Sequence, residues 1–268
     1  MAATAKERRE MIVVHLARNQ VVKVSDLSRR FGISEVSIRR DLDALEELGL
    51  LKHIHGGAVP IPYTGLGHSH SAKTQRCIKE KKAIGRVAAE MLREGDRIVF
   101  DSGTTVVQVA RNIPRHLLES GNLTVITASL PIVRELGSWK DVQLLLLGGI
   151  YLPDYEIVAG PQTIENLKGL HVDKIFLGTD GLTFSHGVTT ANVLEAEVNR
   201  AMVGVASETI VVADSSKIGV KGLVTIMPLV QIDRLITDDK ADPDFVAALE
   251  KNGVQVILGQ DKGELGVL

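Results

Sequence analysis

Two hydrophobic periodicities divide this chain. In the first stretch apolar residues recur every three to four positions; from Lys79 onward short apolar runs alternate with helical stretches. Met11, Ile12, His15 and Leu16 lie at helical spacing and predict an amphipathic helix over Arg8 to Asn19. A second helix is expected from Ser25, a hydroxyl placed to cap its first turn, to Phe31-Gly32, where glycine takes the left-handed backbone that closes a helix. Ser34 then caps a third, Glu35 to Leu48, after a three-residue break. At 100° per residue Ile38, Leu42 and Leu45 share one face, Val36, Arg40, Asp43 and Glu47 the opposite one, with Ser37 and Arg39 on the flanks. Leu50 to His55, followed by Gly56-Gly57, predicts two short strands around a tight turn.

Beyond Lys79 the pattern predicts a helix over Glu80 to Leu92, with Ile84, Val87, Ala88 and Met91 on one face. Strands are expected at Arg97–Phe100, Thr124–Thr127, Val142–Leu147, Lys174–Leu177, Thr209–Ala213, Arg234–Thr237 and Val254–Leu258. Helical stretches intervene, notably Leu194 to Ala206 with Leu194, Val198, Ala201, Met202 and Val205 in phase. Apolar strands separated by helices indicate an α/β domain with a mainly parallel sheet. The fold expected is therefore an α+β winged helix-turn-helix domain, residues 1–58, a linker, 59–76, and a larger α/β domain, 77–268. The linker is rich in Pro, Gly, Ser and His. Its His68 and His70 lack the further ligands that a metal site requires, so no metal is expected.

Charge alters this picture modestly. The net charge of −2 divides into +2 over residues 1–58 and −4 over the rest, so nucleic-acid contact requires a focused basic face rather than a general polycation. The single cysteine, Cys77, excludes an intramolecular disulfide and fits a reducing cytoplasm. No apolar run approaches the roughly 18 residues of a membrane span, and no signal-peptide pattern opens the chain.

The candidate chemistry lies in two places. The helix after the turn offers Ser34, Glu35, Val36, Ser37, Arg39 and Arg40, and the wing adds Lys52, His53 and His55. This is a set suited to double-stranded DNA, a serine and arginine for base edges and a valine for a thymine methyl, with the remaining cations for phosphates. In the α/β domain the loops after successive strands are small and hydroxyl-rich: Asp101-Ser102-Gly103-Thr104-Thr105, Thr127-Ala128-Ser129, Gly148-Gly149, Thr179-Asp180-Gly181 and the loop holding Lys217. Such loops crowd along one edge of a parallel sheet, where ligands bind. Ser102 to Thr105 at a helix start suits a phosphate, Lys217 a positive charge, and Asp180 and Glu195 hydrogen bonds from sugar hydroxyls. No cofactor is expected.

The run SDLSRRFGISEVSIRRDLDALEELGLLKHIHGGA resembles the N-terminal signature of the DeoR family of bacterial transcriptional regulators, and DSGTT, LLGG, GTDGL, GVTTANVLEAEVNRAM and VVADSSKIG resemble its effector domain. The resemblance implies a fold similar to ribose-5-phosphate isomerase and a repressor of carbohydrate metabolism. It further implies an effector that is a phosphorylated sugar or a sugar-derived metabolite. Two departures stand out: His53 where the family more often has Arg or Thr, and Ala128 where it often has Asn, which removes one donor and one acceptor. A single small module reads few base pairs, so a homodimer or homotetramer on repeated half-sites is expected. The alternative reading is an isomerase or deaminase with an accessory DNA-binding module, in which Asp180, Glu195 and Lys217 move a proton and steady an oxyanion. A DNA-reading module has no evident use on such an enzyme, and no catalytic residue is assigned.

Overall fold

The computed structural model describes residues 5, 8–9, 11–12, 15–16, 21–47, 51–54, 56–59 and 74–260. The chain divides into two compact units, residues 1–64 and 65–268.

The first unit contains β1 (Val22–Lys23), α1 (Val24–Phe31), α2 (Glu35–Glu47), β2 (Lys52–Ile54) and β3 (Gly57–Val59). The strands form an antiparallel sheet in the order β1-β3-β2. The described residues of the predicted Arg8–Asn19 helix are helical, and its Ile12 and Leu16 join Leu27, Ile38, Leu42, Leu45 and Leu51 in one buried core. Gly32 closes α1 at φ 66°, donating its N–H to Ser28 O. Ser34 Oγ accepts from Ser37 N at 3.2 Å and so caps α2 as expected.

Two features differ from expectation. Ser25 is not the cap: α1 starts at Val24, after Lys23, because the extra strand β1 carries the chain extended up to that point. The N–H of Val24 is satisfied from the wing, donating to Gly56 O at 3.0 Å, so no side-chain cap is required there. The close approach of β1 to β3 also accounts for Gly57, where a Cβ would sit 2.1 Å from Val22 O. Residues 60–73 of the predicted linker, His68 and His70 among them, and His55 of the wing lie outside the described residues.

The second unit is built on β4 (Arg97–Phe100), β5 (Thr124–Thr127), β6 (Gln143–Leu146), β9 (Val172–Leu177), β12 (Ala206–Val212), β14 (Arg234–Asp238) and β15 (Gln255–Gly259). These are the seven predicted strands, with ends shifted by up to three residues. They pair in the order β15-β14-β12-β9-β4-β5-β6, every pair parallel. Side chains alternate between faces. Ile98, Phe100, Phe176, Ile210, Val212 and Ile236 pack under α3 (Ile78–Ala89), α4 (Thr104–Arg111) and, past the four-residue turn α5 (Arg115–Leu118), α6 (Leu130–Leu136). Val99, Ile175, Leu177, Val211 and Leu235 pack under α7 (Pro161–Leu167), α8 (Val193–Val205) and α9 (Pro243–Lys251). Phe100 and Phe176 stack at 5.4 Å inside the first layer. Coverage on both sides is why these strands read as apolar runs rather than alternating ones.

The sequence pattern misses two antiparallel additions. One is the hairpin β7 (Ile150–Leu152) with β8 (Ile157–Ala159); the other is the sheet of β10 (Gly181–Thr183), β11 (Gly187–Thr190) and β13 (Val224–Met227). Each strand is three or four residues long, and β10 and β11 open on glycines that made these segments look like loops. No described helix is long and apolar enough to cross a membrane.

Candidate functional site

In the first unit, the outward face of α2 is the one the periodicity indicates. Val36 is 59% exposed, Arg39 and Arg40 are exposed, and Ser37 is half-buried. Arg39 Nη2 lies 3.2 Å from Glu35 Oε2, an exposed pair that contributes little to stability but orients the guanidinium. Among the described residues Arg40 engages no side-chain partner. Lys52 is exposed on the wing. His53 binds the wing to α2 instead of facing freely outward: its N–H donates to Glu46 Oε1 (2.8 Å) and its Nε2 lies 3.3 Å from Asp43 Oδ1.

One residue beneath this face escaped the sequence reading. Asp41 is 2% exposed and receives Arg8 Nε at 2.6 Å and Arg9 Nε at 2.9 Å, which ties the N-terminal helix to α2. Its position three residues after Ile38 was the available signal, since that spacing belongs to the buried stripe.

In the second unit the loops at the carboxyl ends of β4, β9 and β12 converge, joined by β11 and α8. Glu195 is the hub: its Oε1 accepts from Ser102 Oγ at 3.0 Å and its Oε2 from Thr190 Oγ1 at 2.6 Å. Asp180 Oδ2 accepts from Ala191 N at 3.2 Å and lies at the same distance from Thr190 Oγ1. On its other side Lys217 Nζ stands 3.9 Å from Asp180 Oδ1. Asn192 caps α8, accepting from Leu194 N and Glu195 N, and thereby fixes where Glu195 enters the cluster.

Beneath this cluster Asp101 is fully buried. Its Oδ2 accepts from Gly178 N at 3.0 Å. Its Oδ1 meets the Asn199 amide, which donates at 2.9 Å when turned nitrogen-inward. Burial, reinforced by the Glu195 charge, holds the Asp101 carboxyl well above the ordinary carboxylate range despite the bonds from Ser102 and Gly178. Gly103 takes φ 98° and delivers the chain into α4, whose first residues Thr104 and Thr105 are buried at the same edge. The arrangement presents main-chain N–H groups at a helix start, hydroxyls, two carboxylates and an ammonium within one polar cluster.

Not every predicted residue enters that cluster. Thr127 is wholly buried, donating to Phe100 O at 2.8 Å and accepting from Ser129 N at 3.0 Å, so its hydroxyl braces the loop. Thr179 Oγ1 is likewise engaged within the fold, between Gly181 and Thr189. Gly181 sits in β10 where a Cβ would strike Val220 O at 2.2 Å. Gly148 and Gly149 lie just past edge strand β6, two strands from β4, and Gly148 donates to Asn166 Oδ1 and accepts from Thr163 Oγ1. Ser129 is buried at the start of α6 with its hydroxyl unpartnered among the described residues. Thr190 and Asn199, by contrast, belong to the cluster and were missed by the sequence reading. Among the described residues no group of three or more His, Cys, Asp or Glu is placed to hold a metal ion.

A helix-turn-helix with a β-wing, followed by a parallel α/β unit with a polar cluster at its carboxyl edge, defines a DNA-binding regulator with a sensor domain. Two family models match accordingly: the DeoR-like helix-turn-helix domain over residues 8–62 and the DeoR C-terminal sensor domain over residues 76–239. The chain belongs to the DeoR family of transcriptional regulators. It is 35% identical over 253 residues to the HTH-type transcriptional regulator GlpR of Haloferax volcanii, covering 94% of this chain and 97% of that one. It is 32% identical over 260 residues to the HTH-type transcriptional repressor GlcR of Bacillus subtilis, covering 97% and 98%. Ribose 5-phosphate isomerase A of Methanocaldococcus jannaschii is 18% identical, with a TM-score of 0.39 over 53% of this chain and 55% of its own.

Proposed function

We propose that this protein is a repressor of carbohydrate-utilisation genes whose hold on operator DNA is set by a phosphorylated sugar bound at the carboxyl edge of the parallel sheet. The observation that carries the reading is the pairing, in one chain, of an exposed Arg40, without a side-chain partner among the described residues, with the Ser102–Glu195–Thr190–Asp180–Lys217 cluster. The repressor named among the relatives supports the sign of the regulation.

In this reading Ser37 and Arg40 meet base edges and Val36 a thymine methyl, while Arg39, Lys52 and His55 go to phosphates and His53, turned onto Asp43 and Glu46, holds the wing in place. Ser34 and Glu35 act indirectly, one capping the helix and the other orienting Arg39. The Ser102–Thr105 loop cradles the effector's phosphate, Lys217 adds charge, and Asp180 and Glu195 accept from sugar hydroxyls. Two reading heads in a homodimer or homotetramer engage repeated half-sites, and the effector shifts their spacing or order. By linkage, operator DNA weakens effector binding by the factor through which effector weakens operator binding.

The site binds without turnover in this account. Incubation with ribose 5-phosphate and with a hexosamine 6-phosphate should leave both sugars unconverted while raising the melting temperature with one phosphorylated sugar of a wider panel. Conversion at ordinary enzyme rates, of order 1–1000 per second, would establish the isomerase or deaminase reading instead.

A further inference from the structure

Strand β6 ends the parallel sheet: β5 pairs with it on one side, and among the described residues no strand pairs with it on the other. The N–H groups of Gln143 and Leu147 donate inward, to Leu123 O at 3.0 Å and Thr127 O at 2.9 Å. Alternation along a strand turns Leu145 inward with them and points the N–H and C=O of Leu144 and Leu146 away from the sheet. Such an edge is a template for another strand, and proteins ordinarily blunt it with charge. Here no charged residue falls between Asp141 and Asp154.

Apolar surface gathers at the same place. Leu146 is 48% exposed, Ile150 59% and Tyr151 46%, three large apolar side chains within six positions. Leu144 and Leu145 are half-buried, one against each layer of the core, so β6 is apolar on both faces. The chain leaves β6 through Gly148 and Gly149 into β7, which pairs with β8 on one side only. The opposite edge of the sheet differs. Gly259 of β15 packs against Ala83 and Ile84 of α3, and Leu258 is the one large apolar side chain of β15 that is exposed.

We propose that β6 is a dimerisation edge, on which a second copy of this chain lays its own β6 antiparallel about a two-fold axis at Leu145. Of the registers open to the outward groups, this one pairs Leu144 of each copy with Leu146 of the other and Leu145 with itself, so that leucine meets only leucine. Charge selects the antiparallel sense. It holds the two Asp141 carboxylates eight residues apart, about 26 Å at the rise of a strand, whereas a parallel pairing would set them side by side. Ile150 and Tyr151 of one copy come abreast of the Trp139–Asp141 turn of the other. Each edge is consumed by the other, so the contact closes at two chains. The inference goes beyond the repressor reading and requires neither the effector nor the operator.

The test uses the full-length protein, its mass measured across concentration by sedimentation and its register by oxidative cross-linking. Leu146→Lys, a change at an exposed side chain, sets two ammonium groups on one apolar strip. It should halve the mass at concentrations where wild type holds together, the dissociation constant rising at least about a hundredfold. In a Cys77→Ser background Leu145→Cys should form a disulfide-linked dimer, because residues facing each other this way lie about 4.5 Å apart at Cα, within disulfide reach. Gln143→Cys should not, since the same register sets the two copies of residue 143 about 13 Å apart. Wild type that is monomeric at every concentration overturns the proposal and leaves the edge to a strand of another protein. An assembly untouched by Leu146→Lys, or cross-linked through residue 143 and not 145, overturns it as well. Should Leu146→Lys not fold, the cross-linking pair decides. Operator binding by the same samples keeps the two readings apart: selective binding by a chain that does not pair through β6 sinks the edge and retains the repressor.

Discussion

Helix α2 and the polar cluster at the carboxyl edge of the sheet arrange polar side chains in opposite ways. On α2 the residues proposed to meet DNA are those the fold leaves over: Val36, Arg39 and Arg40 project from a helix whose other face is Ile38, Leu42 and Leu45. At the sheet edge the residues proposed to bind an effector are bonded to one another, Ser102 and Thr190 to Glu195, with Lys217 beside Asp180. A duplex brings a long row of phosphates and its own geometry, so a rigid helix with exposed cations suffices. A small ligand offers few contacts, and discrimination among sugars then depends on groups already held in place.

That contrast can be broken at several points. The largest effect is expected from the layer beneath the reading face: Leu42→Ala should cost about 2–5 kcal/mol of the first unit's stability, read by denaturant unfolding, and leave the second unit's transition in place. A loss under about 1 kcal/mol would mean that α2 is not anchored as described. In the cleft, Lys217→Ala or Thr104→Ala should reduce effector binding by roughly 1.5–3 kcal/mol while operator affinity stays nearly unchanged. Survival of the sugar-phosphate thermal shift in both variants contradicts the assigned cleft. Arg40→Ala should cost roughly 1–3 kcal/mol of operator binding and relax base selectivity, with effector binding intact; retained selectivity in a competition assay would place the reading face elsewhere.

Asp101 sharpens the contrast through pH. Its folded-state pKa is raised, so its contribution is full below the ordinary range near pH 4 and is lost as pH rises through the raised value. Asp101→Asn should therefore raise the melting temperature at neutral pH, with a gain that shrinks to nothing on acidification. A gain independent of pH would assign the effect to packing. The smallest change is expected at the exposed pair: Glu35→Ala should shift stability by no more than about 0.5 kcal/mol.

The two regions also differ in how much of them could be read from the chain. The face of α2 follows from residue spacing alone, because a helix converts sequence separation directly into direction. The seven parallel strands were legible for a related reason: each is an apolar run, and only its ends were displaced. The polar cluster at the sheet edge was legible as a set of loops but not as a network. Thr190 and Asn199 reach it through β11 and through the inner face of α8, which depend on contacts between segments distant in sequence. Thr127 shows the converse: a hydroxyl of the right type in the right loop, drawn inward to Phe100 O by its place on the strand. Asp41 was hidden for a simple reason. A charged residue reads as exposed until its partners are known, and here those partners lie on other elements.

The most direct test of the account is operator binding by the full-length protein at fixed salt, on a labelled fragment from upstream of its own gene and neighbouring genes, with and without a panel of phosphorylated sugars and their unphosphorylated counterparts. The account predicts tight, selective binding that one phosphorylated sugar relieves and its free sugar does not. Selective binding indifferent to every phosphorylated sugar would contradict the assigned cleft, and absence of selective binding would contradict the repressor itself.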